Sequence, residues 1–123
     1  GRLYDKQDRL KEAAEAFARA AKLRPDDHTA QLLLGVTLGL MGQMDECLVH
    51  LRRATELAPE SAVAHYQFGR ALVVKKQMAK AAEEFRIALS LDPKNAEIRA
   101  ALEQVAGRGT ATLPTSTSTG SGR

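Results

Sequence analysis

Aromatic side chains make up only 4% of this 123-residue chain, although apolar residues reach 44%. A sandwich or barrel filled by rings is thereby excluded, and packing among Ala- and Leu-rich helices is what remains. Strand-like alternation of apolar and polar residues is missing as well. With a single cysteine, Cys47, no internal disulfide forms, and a reducing, cytoplasmic compartment is favoured. The formal charge of +3 owes two of its cations to Arg108 and Arg123, in a stretch without acids. Residues 1–106 carry 16 Lys/Arg against 15 Asp/Glu, a balance that excludes the massed basic face needed to grip phosphates, so no nucleic-acid partner is expected. No basic-then-apolar leader pattern occurs, and the longest greasy run, Leu32–Met41, is too short to cross a bilayer. That run reads as a buried helix, and membrane insertion is not expected.

What the chain does have is a period. Phe17–Pro25, Leu51–Pro59 and Phe85–Pro93 are three apolar helix ends closed by prolines that stand 34 residues apart. A fixed spacing of this length marks a repeat architecture, whose core grows by stacking. Asp27, Ser61 and Asn95 each follow a proline by two residues and supply side chains that cap a new helix. Each proline is thus a stop followed by a start. On this reading Arg2–Lys6 is the last turn or two of one helix and Asp8–Leu23 the next. Further helices follow at Asp27 to about Met41, Met44–Leu57, Ser61 to about Lys75, Met78–Leu91 and Asn95–Ala106. Gly42 closes one of them in the left-handed conformation. In the last helix, Ile98, Ala101, Leu102 and Val105 share one face while Glu97, Arg99, Glu103 and Gln104 cover the other, as a terminal cap requires. Residues 107–123 are Gly/Ser/Thr-rich and are expected to be disordered.

Aligned on the prolines, the copies agree at more than their ends. Gly35 coincides with Gly69, Tyr4 with Leu38 and Leu72, Ala13 with Cys47 and Ala81, Phe17 with Leu51 and Phe85, and Ala20 with Ala54 and Ala88. This order resembles the tetratricopeptide repeat. The resemblance implies an all-α, antiparallel helix-pair solenoid wound as a right-handed superhelix, with a partial repeat at 1–27, repeats at 28–61 and 62–95, and a capping helix at 96–106. Small residues at the shared positions let paired helices approach closely. Gln31 and His65 depart from the family's usual Trp or Leu, and Asp8 and Lys76 from its interhelix glycine. Counting back by one period sets Gly1 level with Gly35 and Gly69, so the array is expected to begin broken, with the Asp8–Leu23 helix short of cover.

Residues that would carry chemistry have plainer readings. Cys47 sits at a small interhelix position and is expected to be a buried, inert thiol. Cys47 and His50 share i, i+3 spacing, but a metal site needs three or four ligands, and His28 and His65 have no matching partners. His65 reads as a packing residue, and Gly35, Gly39 and Gly42 lack the Gly-Lys-Ser/Thr of a phosphate loop. Arg70, Lys75, Lys76 and Lys80 read as a solvated face. No catalytic residues, cofactor or metal are expected, and the chain is read as a non-enzyme.

The resemblance further implies that the first helix of each pair lines a concave groove that holds a partner's peptide or helix. It puts Thr29, Leu32, Val36 and Leu40 there from one pair, Val63, Tyr66, Arg70 and Val73 from the next, and Glu97, Ala100 and Gln104 from the cap. The groove is apolar with few charges. Some family members clamp the terminal carboxylate of heat-shock chaperones with a Lys/Asn/Lys/Arg set; Leu32, Val36, Gln67, Glu97 and Ala101 stand at those places here, so an adaptor of that type is disfavoured. The expected role is a protein-interaction scaffold. The alternative is a structural spacer or oligomerisation segment of a longer protein, self-associating through its N-terminal edge and perhaps joined to an enzyme.

Overall fold

A computed structural model of the chain describes residues 2–109, with side chains from Lys6 to Ala106. The described residues form helices α1 (Arg2–Leu23), α2 (His28–Leu40), α3 (Met44–Leu57), α4 (Ala62–Val74), α5 (Met78–Leu91) and α6 (Ala96–Gly109), and no strand.

The proline stops and polar starts act as their chemistry dictates. After each second helix the same turn recurs: Asp27 N donates to the Arg24 carbonyl, Ser61 N to Ala58 and Asn95 N to Asp92, at 3.0, 3.0 and 3.1 Å. The following side chain then takes up a free amide of the new helix. Asp27 Oδ1 accepts from Thr29 N at 2.9 Å, Ser61 Oγ from Ala64 N at 3.2 Å and Asn95 Oδ1 from Ile98 N at 3.1 Å. Within a pair, the chain reverses through a left-handed residue, Gly42 at φ 84° and Lys76 at φ 62°.

Asp8 holds the equivalent place in the first copy, yet α1 runs through it unbroken from Arg2 to Leu23. The expected boundary between Lys6 and Asp8 is therefore corrected. A reversal needs a left-handed residue between two packed helices, and no described residue of α1 leaves the right-handed helix. At the other end α6 continues through Gly109, three residues beyond the expected stop at Ala106. Residues 107–109 are thus helical in backbone, not disordered as expected. Residues 110–123 of the expected tail lie outside the described residues.

Consecutive helices pack along the chain, and the pairs are held by close approach. Leu51 and Phe85, 2% and 1% exposed, plug the two repeat centres. Each lies against the glycine of its partner helix, where a Cβ at Gly35 would fall 2.7 Å from Leu51 Cγ and one at Gly69 2.6 Å from Phe85 Cε1. Only glycine leaves that space. Ala54, Ala81 and Ala88 are wholly buried beside them. In α1 the matching Ala13, Phe17 and Ala20 are only partly covered, because among the described residues α1 packs on α2 alone.

The layers follow from which helices meet. α2 touches α4 and α4 touches α6, whereas α3 and α5 do not touch each other. First helices thus crowd together on an inner face and second helices splay on an outer one, which is the curvature of a right-handed solenoid. α6 closes the stack through Ile98 and Val105, both buried.

Candidate functional site

The inner face is built from rows that repeat every 34 residues. Thr29, Val63 and Glu97 form one row, Leu32, Tyr66 and Ala100 a second, Val36, Arg70 and Gln104 a third, and Leu40 and Val74 a fourth. Helical spacing of three or four residues sets these side chains on one stripe of each first helix. Leu40, Val63 and Val74 are large apolar residues left exposed, at 66%, 55% and 60%. Leu32, Val36, Tyr66 and Val73 are half-buried and rest against the core, so they both fill the joints between helices and face the groove.

Two cavities open on this face. The first, about 160 Å³, lies between α2 and α4 over α3, and Val36, Leu40, Met44, Gln67, Arg70 and Val74 are among its lining. The second, about 280 Å³, lies between α4 and α6, bounded by Tyr66, Arg70, Val73, Phe85, Gln104 and Val105. Arg70 and Val74 belong to both and form the wall between them. Of the expected groove residues, Val36, Leu40, Tyr66, Arg70, Val73 and Gln104 are brought together around these cavities; Thr29, Leu32, Val63 and Glu97 line neither. Val74 was not among the expected residues, and Gln67 was expected only as the residue at a clamp place. Val74 could have been found from its register with Leu40, one period earlier.

Arg70 is the charged group of the site. Its guanidinium lies 5.7 Å from the centre of the Tyr66 ring, which in turn tilts at 45° against Phe85 with centroids 5.8 Å apart. Lys75 is drawn away to Asp45, at 3.0 Å, and Lys80 lines a separate depression with Leu48, Phe68 and Glu84. The basic cluster expected from sequence therefore divides, leaving Arg70 alone at the cavity wall.

The other polar residues hold helices together. His65 is buried, with Nδ1 2.7 Å from Glu84 Oε1 and Nε2 2.8 Å from the Pro59 carbonyl. One period earlier, Gln31 Oε1 accepts from His50 Nδ1 at 2.8 Å. One period later, Arg99 Nη2 reaches the Pro93 carbonyl at 2.9 Å. Cys47 is buried as expected. Burial pushes its thiol above the usual range, a hydrogen bond with the Gly39 backbone opposes this, and the net effect disfavours the reactive thiolate. Among the described residues no three His, Cys, Asp or Glu side chains gather in a way that would hold a metal. No helix among them is long and apolar enough to cross a membrane.

These features define a helix-pair solenoid with an apolar groove along its inner helices. The chain belongs to the tetratricopeptide repeat family, whose model matches residues 1–46 and 48–96. No curated protein sequence matches it. Among solved structures it is similar to the first tetratricopeptide domain of Spaghetti bound to the HSP90 peptide SRMEEVD. The TM-score is 0.80 at 17% identity, over 89% of this chain and 87% of that one. The Yersinia enterocolitica type III secretion chaperone SycD, in complex with a peptide of the translocator YopD, gives 0.75 at 18% identity over 85% of each chain. The O-GlcNAc transferase of Thermobaculum terrenum gives 0.75 at 27% identity, over 85% of this chain but 20% of that one.

Proposed function

We propose that this chain is an interaction scaffold whose inner groove docks a peptide segment of a partner protein. The observation that carries the reading is the pair of adjoining cavities, overhung by exposed Leu40 and Val74, on the face where the first helices converge. Aligned exposed apolar side chains of this kind favour a partner over solvent. The peptides held by Spaghetti and by SycD support the same use of the fold. The groove lacks a cationic clamp, since Leu32, Val36, Gln67, Glu97 and Ala101 stand where the resemblance would require one, so apolar anchors dominate. The repeat boundaries at 28–61 and 62–95 and the capping role of 96–106 are part of this proposal. Panning a random dodecapeptide library against the chain tests it, with a Leu40→Asp, Val74→Asp double variant as control. Both residues are exposed, so the variant keeps its fold. Enriched peptides are expected to bind the variant at least ~10-fold more weakly. Failure to enrich, or equal binding to both proteins, sinks the reading.

A second reading is supported by the transferase, of which the matching portion is only 20%. In it the chain is a spacer or association segment of a larger protein, using the half-covered Ala13, Phe17 and Ala20 edge of α1. Sedimentation equilibrium at rising concentration tests this, and a monomer throughout counts against it.

A further inference from the structure

The outer face carries a set of charged groups that the packing of the helices does not use. α3 and α5 splay apart, and between them a depression of about 310 Å³ opens onto α4. We propose that this furrow binds a free α-amino acid with an apolar side chain, its carboxylate on Arg52 and Lys80, its ammonium on Glu83 and its side chain over Phe68 and Leu72. The site is separate from the inner groove and does not depend on the peptide reading.

Helical spacing builds the walls. Leu48 and Arg52 are one turn apart on α3, and Lys80, Glu83 and Glu84 share one stripe of α5, so both sets turn into the same depression. Phe68 and Leu72, one turn apart on α4, form the floor, both buried beneath these rims. A cavity of roughly 150 Å³ is enough to take a benzene-sized group. A Val- to Phe-sized side chain therefore fits, with room left for a charged end.

Charge sets the ligand. The ion pairs among the described residues are Arg53 with Glu56, His65 with Glu84 and Lys75 with Asp45. Arg52, Lys80 and Glu83 are exposed and enter none of them, although Lys80 stands one turn before Glu83. Two cations and one free acid are thus left around an apolar floor. A bare anion there is opposed by Glu83, and a bare cation by Arg52 and Lys80. A zwitterion satisfies both signs, because its two charges sit on one carbon while Lys80 and Glu83, three residues apart on a helix, are only ~5–6 Å apart at Cβ. Arg52 adds forked donors suited to a carboxylate.

The repeat supplies its own control. One period earlier, in the joint between α1 and α3, Leu34 and Leu38 hold the floor places, but Ala18, Glu46 and Val49 stand where Arg52, Lys80 and Glu83 stand here. The solenoid forms at that joint without the charge set. These charges therefore belong to one joint and are not a demand of the fold.

The test titrates the chain with leucine, N-acetylleucine, leucinamide and glycine, taking affinity from calorimetry and position from backbone amide shifts. Leucine is expected to bind best and to shift the Leu48, Arg52, Lys80 and Glu83 amides. Blocking either charge, or removing the side chain, should weaken binding about three- to tenfold. Glu83→Gln should erase the difference between leucine and N-acetylleucine, and the Arg52→Gln, Lys80→Gln double variant that between leucine and leucinamide. All three positions are exposed, and unchanged circular dichroism melts verify that each variant keeps its fold. If leucine and its two blocked forms bind alike, the charge assignment falls. If leucine at ~20 mM shifts none of these amides, or shifts those of Val36, Arg70 and Gln104 instead, the outer site falls and the groove reading stands.

Discussion

The two complete helix pairs, α2 with α3 and α4 with α5, share one register but solve the same packing problems with different side chains. Leu51 fills the first pair and Phe85 the second, each against a glycine. Gln31 bridges to His50 in the first, and His65 bridges to Glu84 in the second, across the same 19 residues. Gly42 turns the first, and Lys76 the second, both with positive φ. What repeats is therefore backbone geometry and the volume left for side chains. The chemistry that occupies each place is free to change, provided that every buried polar atom finds a partner.

The largest test of this comparison sits at the glycines. At Gly69 a Cβ would lie 2.6 and 2.8 Å from Cε1 and Cδ1 of Phe85, a flat ring already braced by Tyr66. At Gly35 it would meet Leu51 Cγ and Cδ2, both at 2.7 Å, which another rotamer can move, and the Leu51 backbone N at 3.2 Å, which it cannot. Gly69→Val is expected to lose ~3 kcal/mol and Gly35→Val ~2 kcal/mol, read from urea denaturation midpoints. Helix propensity works the other way by well under ~1 kcal/mol and does not change either sign. Equal losses would show that ring and branched chain yield alike.

Next in size are the polar bridges. His65→Ala removes two hydrogen bonds and leaves the Pro59 carbonyl and Glu84 without that partner, so a loss of ~2 kcal/mol is expected; Gln31→Ala removes one and should cost ~1 kcal/mol. The sharper experiment transplants the upper bridge into the lower pair. His65→Gln with Glu84→His should recover part of what either single change loses, and a double-mutant cycle measures the coupling. Coupling near zero would mean that the two bridges share a register without sharing a role.

These bridges also mark where sequence reasoning stopped. Caps at Asp27, Ser61 and Asn95, the close approach at Gly35 and Gly69 and the burial of Cys47 were all legible, because each depends on local chemistry or on a repeated small residue. That Val36, Tyr66, Arg70 and Gln104 share a stripe follows from register, and its use as a peptide groove is a proposal. Gln31 and His65 looked like departures from the pattern, since nothing local says that residue 50 or 84 reaches back to them. The unbroken α1 was missed for a related reason: a turn at Asp8 depends on a packing partner, and periodicity alone cannot supply one. Val74 was missed although it stands one period after Leu40.

A smaller effect separates the two turns. Lys76 at φ 62° carries the strain of a Cβ in the left-handed region, which Gly42 at φ 84° avoids. Lys76→Gly is expected to raise stability by ~1 kcal/mol and Gly42→Lys to lower it by a similar amount, both read from thermal melts. The glycine's looser unfolded chain reduces the gain in the first case, so no change at all would show that Lys76 recovers its strain through contacts.

The smallest effect follows from where each pair keeps its bridging histidine. In the first pair it is His50, on the second helix, where burial lowers its pKa and the Glu46 carboxylate one turn away raises it in part. The folded chain thus binds the His50 proton less readily than the unfolded chain, whose imidazole titrates near ~6.5. Above that value neither state holds the proton, and the stabilising contribution is complete. As the pH falls, the unfolded state takes up its proton first, and stability is lost until the folded-state pKa is passed. Urea midpoints should therefore decline between about pH 7.5 and 5.5. His50→Gln should remove that part of the slope. Glu46→Gln should steepen it, because the group that favours the charged imidazole is gone. If His50→Gln leaves the slope unchanged, the bridge to Gln31 is indifferent to charge, and the first pair differs from the second in residue identity alone.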